Sequence, residues 1–141
     1  MFSDPMTPEK DRPQTVLVVD DDPPMNELVK LVLETRGYRV LAVSDGKVAV
    51  ETIRSRRPDL VVLDVMLPEI SGLEICEMVK GDPEFKDVKV VMLSAKSLNV
   101  DKLRARGKGA DAYLTKPVRL AELLDTVNGL LVPSGIPGAK P

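Results

Sequence analysis

Val16-Leu17-Val18-Val19 runs straight into Asp20-Asp21-Asp22. A continuous apolar run of this length reads as a strand buried on both faces, the pattern of a parallel sheet covered by helices. Its end stacks three carboxylates at one edge of that sheet. Two unit charges about 4 Å apart repel by roughly 4 kcal/mol at an effective dielectric near 20. A cation or a phosphoryl-type reaction makes such a cluster tolerable. Two later junctions extend the pattern: Val61-Val62-Leu63 ends in Asp64, and Thr115-Lys116-Pro117 puts a cation after another apolar run. Acids after two strands and a lysine after a third point to a metal-assisted phosphoryl site.

Outward from that stretch, short apolar runs alternate with segments of helical period. Strands are predicted at Thr15–Val19, Tyr38–Val43, Leu60–Leu63, Val88–Leu93 and Ala112–Thr115. Pro23-Pro24 suit a helix's first turn, and Met25, Leu28, Leu31, Val32 and Leu33 carry its apolar stripe to Gly37. Asp45-Gly46 reads as a turn before a helix marked by Val48, Val50 and Ile53, and Pro68 and Gly72 read as turn formers as well. Gly72–Lys80 is the third predicted helix, Val100–Arg106 a charged fourth, and Leu120–Leu131 the last. Five such alternations predict an α/β fold, a doubly wound parallel sheet with helices on both faces. Ligands of these sheets sit at the carboxyl ends of the strands. Asp20, Asp21, Asp64, Ser94 and Lys116 all fall at such ends, so residues remote in sequence converge on one edge.

Composition narrows the chemistry. The 141 residues suit one domain over residues 14–132, with a disordered leader at 1–13 and a flexible tail at 133–141. A net charge of -2 supplies no basic field, and 3% aromatics without Trp supply no stacking platform, so no direct nucleic-acid partner is expected. The chain has no His, which removes imidazole catalysis and His metal sites. A metal must then be held by oxygen, so Mg²⁺ or Mn²⁺ is expected. Cys76 is the only cysteine; it lies on the apolar face of the third predicted helix and reads as a buried core thiol. The N-terminal stretch lacks an apolar h-region, so neither signal peptide nor membrane span is expected, and the location is expected to be cytoplasmic.

Taken together, Asp20-Asp21, Asp64 in the segment LDVMLPEISG, Leu93-Ser94-Ala95 and Tyr113-Leu114-Thr115-Lys116-Pro117 resemble the receiver domains of bacterial two-component response regulators, of which the chemotaxis receiver is the simplest. The resemblance covers about residues 15–131 and implies a five-stranded, flavodoxin-like sheet of order 2-1-3-4-5. It makes Asp64 the phosphate acceptor. A carboxylate near its unperturbed pKa of about 3.9 is ionised at neutral pH and needs no general base. Asp21, Asp64 and the backbone carbonyl of Met66 would hold Mg²⁺, with Asp20 completing the pocket. Lys116 and Ser94 would meet phosphoryl oxygens, Ser94 and Tyr113 would form the switch, and Pro117 would follow a cis peptide. Asp22 is read as the helix cap before Pro23-Pro24.

The implied role is a phosphorelay switch rather than an enzyme. A sensor histidine kinase or phosphotransfer protein donates to Asp64, and a downstream effector docks on the face formed by the fourth helix, fifth strand and last helix. Lys96 to Gly109 is the expected mobile element, with Lys102, Arg104 and Arg119 as contacts. Val118 stands where the family commonly has an aromatic, and Met66 and Lys96 occupy positions that tune dephosphorylation in the family. The last helix lacks the arginines of charge-paired dimeric receivers, so a monomer or weak dimer is expected. Two alternatives compete. A haloacid-dehalogenase-like phosphatase would use Asp20 and Asp22, but that chemistry needs a longer chain and a later acidic pair. A pseudo-receiver that only docks partners would have lost Asp64, Asp21 or Lys116, and all three are present.

Overall fold

The strand predicted from Val16 to Val19 lies at the heart of the sheet. The computed structural model describes residues 13–95 and 109–131. In chain order they form β1 (Thr15–Val19), α1 (Pro23–Glu34), β2 (Arg39–Val43), α2 (Gly46–Arg56), β3 (Leu60–Asp64), α3 (Gly72–Gly81), β4 (Lys89–Ser94), β5 (Ala112–Thr115) and α4 (Leu120–Leu131). The five strands are all parallel, in the order β2-β1-β3-β4-β5. This is the order the resemblance implies. The helix expected at Val100–Arg106, the leader to residue 12 and the tail from 133 lie outside the described residues.

Alternation along the strands splits the core in two. Leu17, Val19, Val61, Leu63, Val90 and Met92 face α2 and α3, where they pack with Ile53, Ile75 and Val79. Val16, Val18, Leu60, Val62, Val91 and Leu93 face α1 and α4, packing with Val29, Leu33, Leu123 and Val127. Because β1 and β3 are covered on both sides, their sequences are continuously apolar. Cys76 is fully buried in the first layer, and burial pushes its thiol up to about 11.

The helix starts depart from expectation in two places. α3 opens at Gly72 as predicted, whereas Gly46, read as part of a turn, is the first residue of α2. Asp45 caps α2 by accepting the Val48 N–H at 2.9 Å. Ser71 and Glu74 form a reciprocal capping box at α3. Asp22 stands at the cap position of α1, yet its side chain makes no capping bond. Pro23 and Pro24 fill the first helical positions and have no N–H to give. A short 3-10 turn at Pro83–Phe85 also went unanticipated; Asp82 caps it and Phe85 is buried beneath it.

Candidate functional site

The sheet ladder continues past the strand ends and sets the site. The Asp20 N–H reaches the Val43 carbonyl at 3.3 Å, Val65 N–H reaches Leu93 at 2.9 Å and Lys116 N–H reaches Ser94 at 2.7 Å. Asp20, Asp64, Ser94 and Lys116 are thereby aligned along the carboxyl edge, although they come from four different strand ends. Asp64 and Ser94 are the last residues of β3 and β4 rather than the first residues after them.

Carboxylate oxygens of Asp20, Asp21 and Asp64 all lie within 4.8 Å of one another. Asp20 and Asp64 are buried and Asp21 is exposed. Lys116 is the cation among them. Its ammonium donates to Asp64 Oδ2 at 2.9 Å and stands 3.1 Å from Asp20 Oδ2 in an ion-pair contact. The opposite oxygens are held by backbone: Asp64 Oδ1 accepts the Met66 N–H at 3.0 Å, and Asp20 Oδ1 accepts the Asp22 N–H at 3.0 Å. Asn26 locks the base of the pocket, donating to the carbonyls of Asp20 at 2.7 Å and Val43 at 3.0 Å. The Lys116–Pro117 peptide is cis.

The electrostatics follow from this packing. Burial pushes the Asp64 carboxyl above its usual range, with the nearby Asp20 charge adding to it, and the bonds from Lys116 and the Met66 N–H only partly offset that. Burial works against the Lys116 charge, but its contacts with Asp64 and Asp20 outweigh it and hold the ammonium above its ordinary value. Among the described residues one lysine is set against three acids, so a divalent cation fits the donor set: hard oxygen ligands and surplus negative charge.

Ser94 is fully buried, and its hydroxyl makes no hydrogen bond among the described residues. Tyr113 is half-buried on β5 and packs against the α2–α3 layer. Met66 is 64% exposed at the mouth of the pocket. Arg119 is exposed, while Lys96, Lys102 and Arg104 lie outside the described residues. Asn26 was missed by sequence reasoning, and its only signal was a polar residue interrupting the buried side of α1. The dual contact of Lys116 was also missed, since no spacing rule links Asp20 to it.

Residues 16–128 match the response regulator receiver domain. The chain belongs to that family. The receiver is 40% identical over 118 residues to the DNA-binding response regulator MtrA of Mycolicibacterium smegmatis, covering 84% of this chain and 50% of the relative. It thus spans about half the length of the curated relatives it matches. Among solved structures, it superposes on a putative response regulator from Chloroflexus aurantiacus with a TM-score of 0.79 and 35% identity, over 86% of this chain and 100% of that one. It also matches the receiver domain of a sensor histidine kinase from Pseudomonas aeruginosa, solved with a magnesium ion coordinated in the active-site cleft. There the TM-score is 0.74 and the identity 28%, over 84% of this chain and 98% of that one. A receiver is a signalling module rather than a catalytic enzyme, and this one carries the acidic triad suited to a metal. Among the described residues no helix is long and apolar enough to cross a membrane.

Proposed function

We propose that this receiver accepts a phosphoryl group from the phosphohistidine of a sensor kinase or phosphotransfer protein on Asp64, as a step in two-component signalling. The observation that carries the reading is the Asp64 carboxylate itself. It is buried and gripped at Oδ1 by the Met66 N–H and at Oδ2 by Lys116, beside two further acids. A carboxylate oxygen forms the new O–P bond while the P–N bond of the donor breaks, its electron pair returning to the imidazole. Asp20, Asp21, Asp64 and the Met66 carbonyl would hold Mg²⁺ or Mn²⁺. Such an ion neutralises the acids and stabilises charge on the transferring oxygens. Lys116 would turn from Asp64 Oδ2 to a phosphoryl oxygen, keeping one positive charge at the reacting group.

Ser94 would donate its hydroxyl to another phosphoryl oxygen, and Tyr113 would follow it inward. The effector would then read the surface running from the segment after β4 through β5 to α4. A two-state element differing by only a few kcal/mol suffices for such a shift. We place the domain at residues 14–132, in the cytoplasm, as a monomer or weak dimer that contacts neither nucleic acid nor membrane directly. The test is labelling with acetyl phosphate and Mg²⁺, read by intact mass and hydroxylamine sensitivity. One phosphoryl group is expected on the parent and none on Asp64→Ala; equal labelling of the variant would overturn the assignment.

A further inference from the structure

The loop between β3 and α3 carries Met66, whose N–H grips Asp64, and it is unusually constrained. Its Glu69 sits at φ 69°, a left-handed conformation rare for a residue with a side chain, and Ile70 N–H closes back on the Pro68 carbonyl at 2.7 Å. Gly72 N–H returns to the Val65 carbonyl at 2.9 Å, and the Ser71 hydroxyl approaches the same oxygen at 3.4 Å. The loop is therefore folded back onto the residue that follows Asp64.

Two glycines allow that closure, and neither owes its place to a left-handed φ. A Cβ on Gly72 would stand 2.1 Å from the Asp64 carbonyl oxygen, 2.9 Å from its carbon and 3.0 Å from Val65 Cα. All three are backbone atoms and have no rotamer to swing away. A Cβ on Gly46 would stand 2.9 Å from Ile70 Cβ and 3.1 Å from the Ile70 oxygen. Ile70 is thus clamped between the start of α2 and the loop it belongs to. By contrast, Gly81 at the other end of α3 has nothing within 4 Å of a Cβ position.

We propose that Gly72 and Gly46 are positioning residues for the acceptor: their missing side chains fix where the Asp64 backbone and the Met66 N–H stand. Gly72 acts directly on Asp64, and Gly46 acts through Ile70. The proposal rests on reading Asp64 as the phosphoryl acceptor. A methyl added to a close-packed site has no void to enter, so it forces the neighbouring backbone to shift. Displacing the Asp64 backbone shifts the carboxylate away from both the Met66 N–H and its neighbouring acids, so metal binding and phosphorylation weaken together. A loss of that kind differs from general destabilisation.

The experiment compares Gly72→Ala, Gly46→Ala and the control Gly81→Ala in the full chain. The readouts are acetyl phosphate labelling rate, Mn²⁺ affinity, the metal-free amide resonance of Met66, and the urea midpoint. Gly81→Ala is expected to match the parent. Gly72→Ala should slow labelling at least about tenfold, weaken Mn²⁺ binding and move the Met66 resonance while still unfolding cooperatively. Gly46→Ala should show the same changes to a smaller extent, and adding Ile70→Gly, which removes the clashing Cβ, should recover part of the loss. Should Gly72→Ala fail to fold, the Gly46 and Ile70 pair carries the decision. Labelling within twofold of the parent for the folded glycine variants, or a Gly46→Ala loss untouched by Ile70→Gly, would overturn the proposal. If the acceptor assignment itself fails, Asp64→Ala labels like the parent, whereas the Mn²⁺ and Met66 readouts still decide the positioning.

Discussion

The two rims of the sheet handle charge in opposite ways. At the amino-end rim, two ion pairs set each acid against its own cation. Lys80 and Asp111 pair at 2.8 Å with side chains 17% and 22% exposed. Lys80 also donates to the Val88 carbonyl at 2.8 Å, and Asp111 accepts the Val90 N–H at 2.7 Å. Nearby, Arg57 pairs with Glu84 and covers the Phe85 ring at 5.6 Å, while Asp59 accepts the Thr15 N–H at 2.7 Å. At the carboxyl-end rim, among the described residues, Lys116 pairs with Asp20 and Asp64, and Asp21 adds a third acid to the cluster. The first arrangement satisfies buried groups and fixes strand starts. The second leaves negative charge in excess, which costs stability in the absence of a ligand and creates affinity for one.

The contrast can be broken most forcefully at the structural rim. Asp111→Ala strands the Val90 N–H and leaves the part-buried Lys80 ammonium without its counter-charge, holding only the Val88 carbonyl, which should cost about 1–3 kcal/mol in urea unfolding. Its labelling by acetyl phosphate should stay near the parent rate. A stability loss below about 0.5 kcal/mol would show that this pair is only a surface contact.

Asp64→Asn should move stability the other way. The folded-state pKa of Asp64 is raised above its ordinary 3.8. Its contribution therefore favours folding below that value and is lost as pH rises through the raised pKa. At neutral pH with a chelator present, the asparagine variant should be the more stable, and the difference should vanish on acidification below 3.8. Urea midpoints against pH measure it; a less stable variant at neutral pH would contradict the charge-surplus picture. The Lys116 contribution has the alkaline window, favouring folding below 10.5 and lost as pH climbs past its raised value.

Two smaller effects sharpen the comparison. Glu84→Ala removes an exposed partner of Arg57, whose side chain is 55% exposed, so the cost should be at most about 1 kcal/mol and should fade with added salt. Asp22→Ala should change stability by no more than about 0.5 kcal/mol, because no side-chain cap is lost. A loss nearer the typical 1 kcal/mol of an N-cap would mean that Asp22 caps α1 in solution after all.

Much of this protein was legible along the chain, for identifiable reasons. The apolar runs Val16–Val19 and Val61–Leu63 marked central strands because they are short, valine-rich and continuous, as burial on both faces of a parallel sheet requires. Acids and a lysine at strand ends marked the rim because parallel topology gathers those ends together. Gly46 was misread as a turn and Asp22 as a bonded cap because glycine and aspartate favour turns and caps locally, and the close approach at Gly72 left no mark in the chain. Whether a neighbour stands 2.1 Å from a missing Cβ, or whether a capping side chain turns to its donor, depends on what surrounds them.

The sequence by itself determined the order of elements, the apolar faces and the set of charged residues at the carboxyl edge, since each depends on local period and on residue type. Tertiary structure alone decided which two acids are buried, which oxygens meet Lys116, and that Asn26 and the Met66 N–H hold the pocket. Those facts rest on distances between chain segments dozens of residues apart. Burial and Coulomb energies change steeply over an ångström, and no periodicity along the chain encodes them.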